Sequence, residues 1–143
     1  MYALFQSLKI AGWAPSSVFG LHLVLVCGLD AYSAVPGIDI PMHFVGGMAM
    51  AYFLWTAFHL AGGAGMLGQP NLLAIAVLAF TSTVATAMFW EFAEYLSDQL
   101  VGTFSQPSLE DTLLDMLLGT IGAALVVGAM WFRQASRDGL ARE

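Results

Sequence analysis

The sequence predicts an all-α polytopic membrane protein, a bundle of four transmembrane helices with a short interfacial helix at the N-terminus. Three observations predict it. First, 59% of the 143 residues are apolar and only 10% are charged, where soluble domains carry roughly 25% charge. Second, the mean hydropathy is +0.77. Third, the apolar residues fall in long unbroken runs without the alternation of a barrel strand. In lipid the backbone must satisfy its own hydrogen bonds, so such runs are helices.

The elements follow in order. Residues 1–13 carry one Lys and a short apolar stretch, then Pro15 and Ser16 interrupt it, which fits a helix lying in the interface better than a cleaved leader. The spans are expected at about 17–35, 41–61, 71–98 and 109–132, each near the roughly 20 residues a bilayer requires. The first is the weakest, with His22 early and Asp30 late. Pro36-Gly37, the glycine-rich stretch 62–70 and the stretch 102–107 separate the spans, because Gly permits positive φ and Pro stops a preceding helix. The whole chain reads as one integral membrane domain, with 133–143 as a tail. Cys27 is alone in an apolar run and reads as a space-filling thiol.

Lys9, Arg133, Arg137 and Arg142 are the only basic residues, all near the two ends. The positive-inside rule then puts the N- and C-termini in the cytoplasm, and Trp13 and Trp131 at the inner interface, with Tyr32, Trp90 and Tyr95 at the outer one. No basic patch supports nucleic-acid binding. Gly47 and Ala51, and Gly119 and Ala123, are spaced four apart, a pattern for close helix packing in lipid. Thr81, Ser82, Thr83 and Thr86 are expected to bond to their own helix or a neighbour.

That topology gathers the acids at the non-cytoplasmic face. Asp39 and His43 are four apart, Glu91 and Glu94 three apart, and Asp111 and Asp115 four apart, so each pair shares a helix face. Several have plain structural readings. Asp39 can cap the second span, Ser108 and Asp111 look like a capping box, and Asp98 and Glu110 are expected to face water. Glu91, Glu94 and Asp115 resist such readings. Asp115 lies more than a turn into an apolar helix, and the two glutamates sit at a helix C-terminus, where the macrodipole disfavours negative charge. With no Lys or Arg nearby, they require a metal ion, shared protons or water. One imidazole with several carboxylates is an oxygen-rich donor set, suited to Mn, Fe, Mg or Ca, and also to Zn. The expected metal set is His43, Glu91, Glu94, Asp111, Asp115 and Asp39. His22 and His59 are expected to lie far from it, in structural roles.

The ordered set Asp39-x-x-x-His43-Phe44, Glu91-x-x-Glu94, Asp111-x-x-x-Asp115-Met116 and Gly122-Ala123 resembles the bacterial inner-membrane family typified by YjdF and, more loosely, VanZ-type proteins. The resemblance covers roughly residues 39–123. It implies a multi-span bacterial membrane protein and carries no settled activity. The family usually has a Lys after the first Asp, where Ile40 stands here, and its members tend to be longer. Two functional classes follow from the sequence: metal-dependent chemistry at the membrane, or a non-enzymatic part as an accessory subunit of a larger complex or a proton or ion relay. The lipid bilayer is the expected partner in both, with other membrane subunits in the second.

Overall fold

The computed structural model describes residues 2–29, 34–35 and 37–140, without the side chains of 27, 28, 139 and 140. Asp30, Tyr32, Pro36 and Arg142 lie outside the described residues, and so does the Cys27 side chain. Helix α1 is Tyr2–Ala11 and α2 is Trp13–Leu23, continued by a π-helical turn, Val24–Gly28. The three long helices are α3, Asp39–Gly63, α4, Leu72–Val101, and α5, Leu109–Leu140. Each of these three is long and apolar enough to cross a membrane, and α1 with α2 makes a fourth candidate if the pair, bent by 59°, is one broken span.

The N-terminal arm departs from the expected arrangement. Pro15 does not end a helix; it sits in the first turn of α2, where its missing N–H has no partner to lose. The helix therefore starts at Trp13 rather than near residue 17. Helix α1 buries Ala3, Ser7 and Ala11 and packs against α3.

Helices α3 and α5 run parallel, with α4 antiparallel between their ends. The short turns require this alternation. Asn71 caps α4 by accepting the Ala74 N–H at 2.8 Å, and Gly102 ends it in the left-handed conformation, φ 78°, which favours glycine. The core is built from small residues. Ala51, Ala79 and Ala123 are fully buried, with Trp55, Ile75, Ala76 and Val127 at the far end. A Cβ on Gly47 would collide with the backbone of Gly119, and one on Gly122 with the carbonyl of Phe44. The glycines thus let α3 and α5 touch backbone to backbone, the device that replaces hydrophobic drive in lipid. The threonines bond within their own helix, Thr83 to the Ala79 carbonyl at 2.7 Å and Thr86 to Ser82 at 2.8 Å. Exposed Phe89, Leu117, Leu125 and Phe132 cover the outside with apolar surface.

Candidate functional site

The parallel pair α3 and α5 carries its polar residues one turn before the glycine contact. His43 precedes Gly47 by four residues, and Asp115 precedes Gly119 by four. The close approach therefore brings the imidazole and the carboxylate to the same level of the bundle. Helix α4, running the other way, delivers Glu91 there. His43 Nδ1 lies 3.6 Å from Glu91 Oε1, and His43 Nε2 lies 3.7 Å from Asp115 Oδ2. Both distances exceed hydrogen-bond length. The imidazole stands between two carboxylates, one nitrogen toward each.

Two groups of donor atoms meet at this ring. His43, Glu91 and Glu94 each offer an atom within 4.8 Å of the other two, and so do Asp39, Asp111 and Asp115. All six residues named from the sequence are thus brought together, as two adjoining triads. Glu91 and Asp115 are buried, and Glu91 Oε1 and Asp115 Oδ1 have no hydrogen-bond partner among the described residues. No Lys or Arg lies within ion-pair distance of either, again among the described residues. A buried carboxylate left without a counter-charge costs several kcal/mol.

Neighbours fix the remaining atoms. Glu94 Oε1 accepts the Trp90 Nε1–H at 2.8 Å. The Gln106 side-chain amide donates to the Glu91 carbonyl oxygen at 2.8 Å and to Glu91 Oε2 at 2.9 Å. Asp98 holds the loop that presents Gln106, since its carboxylate accepts from the Thr103 hydroxyl and from the Ser105 and Gln106 N–H groups. Asp98 thus anchors the loop from the surface, where it was expected to face water. Asp39 lies inside the first turn of α3 with Ile38 at the cap position, and its Oδ1 accepts the Ile40 N–H at 2.9 Å. The Asp111 N–H donates to Ser108 Oγ at 3.1 Å, so Ser108 makes its half of the expected cap while the Asp111 carboxylate joins the Asp39 triad. Glu110 is exposed and outside both triads.

Residues 3–136 match the family described as predicted membrane protein (DUF2238). The chain belongs to that family. It is also similar to a Thermotoga maritima protein described as uncharacterized, 25% identical over 123 residues, which are 85% of this chain and 62% of that one. The chain thus spans less than two thirds of the relative's length. No solved structure matches the chain. These likenesses support an integral membrane protein of unknown function.

Three residues at the site escaped the sequence. His22 is not remote. It shares a cavity with His43, and its ring packs edge-on against Trp90, centroids 5.0 Å apart. Two other contacts set its level: Trp13 packs on Tyr52, and Val18 lies over Gly46, so α2 runs antiparallel to α3. The nine residues from Trp13 to His22 rise about 13 Å and reach the His43 end. Trp90 packs its ring on His22 and donates its N–H to Glu94. Gln106 lies in a loop fifteen residues after Glu91, and no helical spacing points to it. His59 is at the opposite end, stacked on Trp55 with centroids 6.1 Å apart.

Proposed function

We propose that this protein holds a divalent cation at the His43 end of its bundle, on His43, Glu91 and Glu94, with Asp115, Asp39 and Asp111 as the adjoining donor group. The observation that carries the proposal is the pair of buried oxygens without a hydrogen-bond partner, Glu91 Oε1 and Asp115 Oδ1, on either side of His43. The donor spacing supports it. Donors around a six-coordinate ion with bonds of about 2.0–2.6 Å lie roughly 3–5 Å apart, and each triad falls within 4.8 Å. With one imidazole nitrogen ligating, the other N–H is directed at the second carboxylate, an arrangement that raises ligand basicity. Oxygen donors with a single imidazole favour Mn, Fe, Mg or Ca over a thiolate-type Zn site, with Zn still served by the same groups.

The same reading places residues 1–143 as one domain of a bacterial inner membrane, of the YjdF type, with the site at the non-cytoplasmic face and 133–143 as a cytoplasmic tail. The confinement of Lys and Arg to the two ends supports the orientation, the family match over residues 3–136 supports the single membrane domain, and the bacterial type rests on the motif resemblance alone.

Metal analysis of purified protein, reconstituted separately with Mn, Fe, Mg, Ca and Zn, tests the proposal. The expected result is one bound ion or more per chain, lost in Glu91→Gln and in Asp115→Asn while both variants remain folded. Sub-stoichiometric metal in every case overturns it. Stable co-purification of other membrane subunits would then favour the non-enzymatic class.

A further inference from the structure

Beside the acidic cluster lies a cavity of about 360 Å³ between α2, α3 and α4, within the 300–1,000 Å³ usual for small-molecule sites. Its wall is apolar: Val18, Phe19, Met42, Met50, Ala87 and Trp90. Thr83 and Thr86 also line it, but their hydroxyls donate to carbonyls of their own helix and offer little polarity. The two imidazoles, His22 and His43, lie at the end near Glu91 and Glu94, where Trp90 touches one and hydrogen-bonds the neighbour of the other. The cavity is thus mostly apolar, with Ser16 on its lining and the two imidazoles at the end that adjoins the proposed cation site.

The flanking surface indicates which phase feeds it. Helix α2 packs on α3 and reaches α4 through the rings of Phe19 and His22 against Trp90. Exposed Phe19, Leu23 and Phe89 flank the α2–α4 side of the cavity with apolar surface. The α3 and α4 residues of the wall all lie inside helices long and apolar enough to cross a membrane. A hydrocarbon chain entering from a bilayer past these residues would stay in an apolar medium.

We propose that the cavity binds the single hydrocarbon chain of a membrane amphiphile, an acyl or isoprenyl chain, with its polar head toward His43. The position of the head rests on the cation reading above, because five nearby carboxylates with no Lys or Arg among the described residues there repel an anionic head unless a cation intervenes. The position of the chain rests on the cavity alone.

The test uses full-length protein in proteoliposomes containing a fatty acid with a mid-chain diazirine, photolysed and mapped by peptide. The expected result is label on the α2, α3 and α4 wall above the level on lipid-facing Leu117 and Leu125. Gly46→Leu, which projects a side chain into the cavity where a Cβ meets only Val18 at 3.9 Å, should lose the wall label and keep the outer label. Gly20→Leu, whose Cβ meets nothing within 4 Å, should keep both. Metal is measured on the same samples. A wall labelled no more than the outer surface, or a wall label unchanged in Gly46→Leu, overturns the chain site even where metal is bound. A protected wall together with a dimeric native mass would assign the cleft to a second copy and equally overturn it. A labelled wall without metal sinks the cation reading and leaves the chain site standing.

Discussion

Replacing Gly47 by Ala tests the link between helix packing and the site. A Cβ on Gly47 would lie 2.8 Å from both the Cα and the carbonyl carbon of Gly119, and nearer still to its oxygen. Carbon atoms in contact require about 3.5–4.0 Å, so α3 and α5 must separate by roughly 1 Å. The obstacle is backbone and cannot rotate aside. Overpacking costs typically about 1–3 kcal/mol, and a rigid obstacle puts this site at about 3. The higher helix propensity of Ala returns at most about 1 kcal/mol. The net loss is about 2 kcal/mol, roughly a thirtyfold fall in the ratio of folded to unfolded protein. Gly128→Ala is the control, because nothing lies within 4 Å of its Cβ; it should be neutral or slightly stabilising. Both variants are compared by reversible unfolding in one detergent. The same separation widens the 3.7 Å contact of His43 with Asp115, so metal affinity should fall with stability. A Gly47→Ala protein as stable as Gly128→Ala would refute the reasoning, since the backbone contact would then be absent.

Four further outcomes are expected. Gln106→Ala removes both hydrogen bonds that orient Glu91 and should weaken metal binding by about 10–100-fold, measured by titration, with little change in helix content. Asp98→Asn disturbs the charge-assisted bonds that gather residues 103–106; hydrogen exchange in that loop should rise, and stability should fall by about 1–2 kcal/mol. Thr83→Val should cost less than about 1 kcal/mol despite complete burial, because its hydroxyl serves only its own helix; a loss above 2 kcal/mol would show a partner beyond α4. Asn71→Ala removes the α4 cap and should lower the unfolding free energy by about 0.5–2 kcal/mol.

The sequence made the three long helices legible because their apolar runs exceed what any soluble helix needs and their breaks are chemically plain. The expected spans at 41–61, 71–98 and 109–132 match α3, α4 and α5, with residue 71 as the cap of α4 and the C-terminal ends of all three helices running further. The meeting of His43, Glu91 and Asp115 was legible for a related reason. Alternating helices place the start of one near the end of the next, and i, i+4 spacing selects the face. The N-terminal arm was not legible. Pro15 reads equally as a helix end or as a first-turn residue, and the choice shifts His22 by several residues along the bundle axis. Gln106 was hidden for another reason: a loop side chain acts through a tertiary contact that no periodicity encodes. The glycine pattern announced close packing, yet only the coordinates show that it is the parallel pair, α3 with α5, that meets there.

Trp90 sits astride two compartments. Its ring forms part of the apolar wall and rests on His22 and Phe19, while its indole N–H is committed to Glu94 at 2.8 Å. Any occupant large enough to turn that ring must also release the carboxylate behind it. With Trp90 as the sole tryptophan of a variant lacking Trp13, Trp55 and Trp131, indole fluorescence would register filling on one side and loosening on the other as a single event.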